Sequence, residues 1–124
     1  MPLRTTPSDL PIHEIKAELF KALGHPLRVR VLELLIPGER AVSDLLEATG
    51  LEASHLSQHL AVLRRTGLVV ARREGNAVHY RHAHPGVADL LTAARTVLLS
   101  TLAGTRDALA DLEENPLPAA SAQR

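Results

Sequence analysis

The stretch from Gly50 to Val69, GLEASHLSQHLAVLRRTGLV, constrains the fold more than any other part of the chain. Helical spacing puts Leu56, Leu60 and Leu63 on one stripe at i, i+4 and i+7, enough to dock one helix face on a core. At about 100° per residue, Ser54, Ser57, Gln58, Ala61 and Arg65 fall on the opposite face. That face offers short hydroxyls, one amide and one guanidinium, with no bulky apolar group and no carboxylate. It suits a surface that slides into a DNA groove and reads base edges, since Gln pairs bidentately with adenine and Ser suits either base type. Gly67 ends the helix, and an Arg-rich hairpin follows at once. The pattern predicts a reading helix with a wing.

A neutral net charge looks wrong for a nucleic-acid binder until it is divided along the chain. Residues 1–53 carry six Lys/Arg and eight Asp/Glu, giving −2. Residues 54–82 carry five Arg (Arg64, Arg65, Arg72, Arg73, Arg81) against Glu74, giving +4. Residues 83–124 carry three Arg and five acids, giving −2. Positive charge is therefore concentrated on the segment that holds the reading helix, and it is the patch that attracts phosphate.

The 124 residues make a single-domain length. With 45% hydrophobic but only 2% aromatic residues, the core must be built from Leu, Val and Ala, which favours helices over a sandwich or barrel. The absence of cysteine removes disulfides, thiolate metal sites and thiol redox switches together. No apolar run approaches the roughly 20 residues of a membrane span, and the N-terminus lacks a signal-peptide core, so a cytoplasmic protein is expected.

Taken in order, residues 1–11 hold three prolines and read as a loose arm. A first helix is expected over Ile12 to Leu23, stopped by Gly24, and a second over Pro26 to Ile36 that buries Leu27, Val31, Leu34 and Leu35. His25 is its boundary residue, and Arg28 and Arg30 lie on its polar side as solvated or internally paired charges. A third helix over Val42 to Ala48 turns inward Val42, Leu45 and Leu46, and Thr49-Gly50 leads into the reading helix. Two short helices joined at a glycine-containing turn, the second polar outside, describe a helix-turn-helix. Leu68 to Glu74 and Ala77 to His82 are strand-like runs around Gly75-Asn76, a pair able to supply positive φ angles to a two-residue hairpin. Arg72 and Arg73, near its tip, are placed to meet backbone phosphate or an adjacent minor groove.

The last element reads as one long helix from about Pro85 to Leu112, broken only by Gly104. Its apolar residues recur at Val87, Leu90, Leu91, Ala94, Val97, Leu98, Leu102, Leu109 and Leu112, more than a small winged domain covers by itself. A second copy of the chain is the natural cover, giving a two-fold dimer through Leu19 of the first helix and Leu90, Leu91, Ala94, Val97, Leu98 and Leu102 of the last. The expected fold is thus mainly α with a small β-hairpin, a winged helix-turn-helix in the order α-α-α-α-β-β-α. The ordered domain spans 12–113, and the Pro/Ala/Ser-rich segment 114–124 is a disordered tail.

LFKALGHPLRVRVLELL, followed by AVSDLLEATGLEASHLSQHLAVLRRTGLVVARREGNAVHYR, closely resembles the ArsR/SmtB family of bacterial winged-helix repressors over about residues 15–113. The most specific part is SHLSQHLAVLRRTGLV with the R-x-x-G-N-x-V-x-Y wing. The resemblance implies a homodimer with the first and last helices at the interface and the fourth helix in successive major grooves. It further implies repression at inverted-repeat promoter DNA, relieved when an effector binds. Ser54, His55, Ser57 and Gln58 match the family's base-reading positions. Arg64, Arg65, Arg72, Arg73 and the turn residue Asn76 match its backbone and wing contacts.

The chain departs from that family at both of its usual metal sites. Thiolate sensors carry Cys-Val-Cys on the third helix, where this sequence reads Ala41-Val42-Ser43. Zinc sensors place Asp-x-His and a later pair on the last helix; here Asp89 is followed two places on by Leu91, and no histidine lies beyond Pro85. The resemblance therefore carries DNA binding across and leaves the effector open. His55 and His59, at i and i+4, have zinc-chelating spacing but no evident third ligand, so an orienting hydrogen bond is the expectation for His59. His79 and His82 would point to opposite faces of a strand. An intersubunit metal site of His13 with His82 or His84 is the remaining alternative, and no cofactor is expected. A protein-interaction module without DNA binding is a further alternative, opposed by the five arginines around the wing. An enzyme is not expected, since no Ser/His/Asp arrangement, Gly-rich phosphate loop or buried carboxylate pair is evident.

Overall fold

The structure, a computed structural model, describes residues 10–102 and 106–115. The expected arm at 1–11 and tail at 114–124 fall largely outside them, as do Gly104 and the side chain of Leu109. The elements run α1 (Ile12–Ala22), α2 (Pro26–Leu34), β1 (Arg40–Ala41), α3 (Val42–Thr49), α4 (Ala53–Arg65), β2 (Val69–Glu74), β3 (Ala77–His82), α5 (Gly86–Thr101) and α6 (Arg106–Glu114).

Local chemistry accounts for most of the boundaries. His25 is the N-cap of α2: its Nδ1 accepts the Leu27 N–H at 3.1 Å, and Pro26 fills the first helical position, where no donor is needed. Arg28 reaches back from α2 to donate to the carbonyls of Ala22 and Lys21 at the end of α1, which explains a charge the sequence left as solvated or paired. Gly50 ends α3 in the left-handed region at φ +70°, a conformation that would strain any side chain. Thr49 steadies the same turn, donating from Oγ1 to the Leu45 carbonyl at 2.7 Å and accepting the Leu51 N–H at 3.3 Å.

The core lies where α2, α3 and α4 meet the base of the hairpin. Val31, Leu32, Leu35, Leu45, Leu56, Leu63 and Val69 are all essentially without solvent contact. On α2 the buried residues are Val31 and Leu32, followed by Leu35 and Ile36 in the turn that ends it, while the expected Leu27 and Leu34 are only half-buried. The inward face is rotated because α2 packs on α3, α4 and α5 together, and periodicity cannot weigh three neighbours. The α4 stripe of Leu56, Leu60 and Leu63 is buried as its spacing predicts.

The sheet holds three antiparallel strands in the order β1-β3-β2, one more than the hairpin read from the sequence. β1 is two residues long, pairing Arg40 with Tyr80 and Ala41 with His79, and so short a segment has no alternation to detect. β2 and β3 pair from Val69–His82 to Glu74–Ala77 around the expected two-residue turn. Gly75 alone has a positive φ there, +62°, so Gly occupies the first central position and Asn76 stays in ordinary backbone.

The single long last helix is corrected: α5 ends at Thr101 and α6 begins at Arg106. Arg95 in the middle of α5 ties down the end of α6, donating to the carbonyl oxygens of Leu112 (2.6 Å) and Asn115 (3.2 Å). Those are carbonyls at a helix C-terminus that lack intrahelical partners, and a guanidinium there also suits the helix dipole.

Candidate nucleic-acid interface

The buried stripe of α4 fixes which of its side chains face outward. Ser54, His55, Ser57 and Gln58 are all exposed on one side of the helix, and Arg64 and Arg65 are exposed in its last turn. His59 lies between the two faces, half-buried, its ring 4.4 Å from that of His25 at a 52° tilt. Its expected orienting hydrogen bond is not found among the described residues; ring contact with His25 takes that place. Burial first, then the neighbouring His25, Arg28 and His55, holds its pKa below the ordinary value. Partial burial and the neighbouring positive groups both disfavour the protonated ring there.

On the wing, alternation sends Arg72 and Arg73 to opposite faces of the sheet. Arg73 shares the face of Val78 and Tyr80, is exposed, and has no carboxylate partner among the described residues. Arg72 is committed to two acids. Its Nε and Nη2 donate to Glu39 Oε2 and Oε1 at 3.0 and 2.6 Å, and its Nη1 donates to Glu74 Oε1 at 3.1 Å. Both the hydrogen bonds and the charge of Arg72 pull the Glu39 carboxyl below its ordinary pKa. Glu39 comes from the loop before β1, so the positive segment counted along the chain is partly neutralised in space by an acid from outside it. Asn76 is exposed at the turn, and Arg81 is exposed with Nη1 donating to the His82 carbonyl at 3.4 Å.

The dimerisation set divides. Ala94, Val97 and Leu98 are exposed on α5, and with Ile12 and Phe20 of α1 they leave apolar side chains uncovered, Val97 at 61% and Phe20 at 57%. Leu90 and Leu102 are half-buried, and Leu19 is half-buried against its own core. Leu91 lies within its own chain's core at 7% exposure.

Of the metal candidates, His82 and His84 are engaged in hydrogen bonds within the chain and His13 is not. His82 has Nε2 2.8 Å from the Leu32 carbonyl oxygen, His84 Nδ1 accepts the Gly86 N–H at 2.8 Å, and His13 stands exposed beside Glu14. Among the described residues no group of three or more His, Asp or Glu is placed to hold a metal ion. Residues 41–43 offer no thiolate, and Leu91 turns into the core, so neither the third-helix nor the last-helix metal chemistry fits this chain.

Residues 25–70 match the family described as bacterial regulatory protein, arsR family. The uncharacterized HTH-type transcriptional regulator Rv0081 of Mycobacterium tuberculosis is 52% identical over 103 residues, 82% of this chain and 90% of that protein. Its crystal structure aligns with a TM-score of 0.72, covering 77% of this chain and 96% of that one. The solution structure of Mb0332 from Mycobacterium bovis is described as a homodimeric winged helix-turn-helix DNA-binding domain of a possible ArsR-family regulator. It aligns at a TM-score of 0.66 and 39% identity, covering 70% of this chain and 81% of that one. The biofilm growth-associated repressor of Xylella fastidiosa is 37% identical over 81 residues, 65% of this chain and 71% of that protein.

Proposed function

The chain belongs to the arsR family of bacterial regulatory proteins, and on that premise we propose that it is a dimeric, sequence-specific transcriptional repressor of an inverted-repeat operator. The observation that carries the reading is the outer face of α4, where Ser54, His55, Ser57 and Gln58 stand exposed on a helix anchored by three buried leucines. Two such helices related by a two-fold axis enter successive major grooves about 34 Å apart. Gln58 reads a base edge, Ser54, His55 and Ser57 support it, and Arg64, Arg65, Arg73 and Asn76 meet the backbone.

Exposed Val97 and Leu98 on α5, together with Ile12 and Phe20 on α1, support a second copy of this chain as the cover for that face. The homodimeric Mb0332 domain supports the same assembly. No helix among the described residues is long and apolar enough to cross a membrane, and the reading places the protein in the cytoplasm with its DNA. It assigns the protein no catalytic step and no resident metal or cofactor. Release from DNA falls to an effector other than a thiolate-bound ion.

The test is binding to duplex DNA from upstream of the protein's own gene. Gln58→Ala is expected to cost about 1–3 kcal/mol and to relax preference at one base pair per half-site. Unchanged affinity and unchanged preference in that variant would remove α4 as the reading helix.

A further inference from the structure

Glu39 belongs to no motif, yet it makes the shortest ion pair on the wing. The β1–β3 register explains how it arrives there. Ala41 lies opposite His79, which lies opposite Arg72, so those three residues share the outer face of the sheet. Glu39, two places before Ala41, extends the same face and reaches Arg72 across 33 residues of sequence. The contact is bidentate, the geometry that fixes a guanidinium in orientation as well as in place. With Glu74 on its remaining side, Arg72 is ringed by two carboxylates, and an approaching phosphate would meet their charge first.

From this we infer that Glu39 is a positioning residue of the DNA interface: it ties the wing to the body through Arg72 and leaves Arg73 as the wing's phosphate ligand. The inference rests on the DNA-binding reading above. It reverses the role that position along the chain suggested for Arg72.

Salt dependence of operator binding separates the roles, because each phosphate contact contributes about 0.9 to the slope of log K against log salt, or about 1.8 for a dimer that loses one per protomer. Arg73→Ala is expected to flatten the slope by that amount. Arg72→Ala and Glu39→Gln are expected to leave the slope and the melting temperature unchanged. Each should weaken operator binding about two- to fivefold, a loss bounded by the modest strength of an exposed ion pair. The double variant Glu39→Gln/Arg72→Ala should be no weaker than the weaker single, as two ends of one contact require. A flattened slope in Arg72→Ala, an unchanged slope in Arg73→Ala, or tighter binding in Glu39→Gln overturns the inference while leaving the repressor reading standing. Failure of the unaltered protein to bind DNA overturns both.

Discussion

His82 closes β3 with its Nε2 2.8 Å from the Leu32 carbonyl oxygen, a bond that requires the ring to donate. Burial, the largest influence, moves its pKa down, against the opposing pull of that hydrogen bond. His59 is displaced in the same direction, again mainly by burial. A histidine whose folded pKa lies below its unfolded value takes up fewer protons in the folded state. Its contribution to stability is present above the unfolded value near 6.5 and is lost as pH falls through the folded one. The thermal midpoint should therefore fall between about pH 7.5 and about pH 5.5, and His82→Gln, which keeps a donor, should show a smaller fall. An equal fall in both proteins would detach the acid sensitivity from His82. Periodicity placed this residue at a strand end; its partner, 50 residues earlier, was out of reach of any local pattern.

At the scale of elements, α4 and the hairpin were readable because each is specified by neighbours in sequence: a leucine stripe at helical spacing, and glycine at the turn position that needs positive φ. The end of the chain was not readable in the same way. Continuous apolar spacing from Pro85 to Leu112 suggested one rod, whereas the chain forms two helices, with Arg95 of α5 capping the end of α6 at the carbonyls of Leu112 and Asn115. Removing that cap by Arg95→Ala should raise amide exchange across residues 106–114 while the helix-turn-helix amides stay protected. Equal protection of 106–114 in the variant would mean that something other than Arg95 holds α6. β1 was missed for a related reason, since two residues become a strand only by pairing with β3.

Considered as a whole molecule, the protomer buries a core of Leu and Val and leaves Ile12, Phe20, Val97 and Leu98 in contact with water. Because Leu98 is 47% exposed, an acid there strains nothing within the protomer. Leu98→Asp should keep the helical signal of the unaltered protein, sediment as a monomer where that protein is a dimer, and lose on the order of a hundredfold in operator affinity as two-site binding is lost. A variant that remains dimeric would place the interface elsewhere. Leu91 shows why the exposed face of α5 could not be drawn from sequence alone. It lies on the same repeating stripe as Val97 and Leu98, yet it packs inward with Val87 in the first half of α5, whereas Val97 and Leu98 in the second half stay exposed.

The sequence by itself determined the helices of the helix-turn-helix, the polar face of α4, the hairpin and its turn, and the family. Each of these depends on residues within a few positions of one another, whose spacing fixes a face or a φ angle. Tertiary structure alone decided which acid holds Arg72, which carbonyls Arg95 meets, which leucines of α5 stay exposed, and that β1 exists. Those outcomes depend on charges and surfaces brought together from distant parts of the chain, and a one-dimensional pattern records which face a side chain occupies but not what stands opposite it.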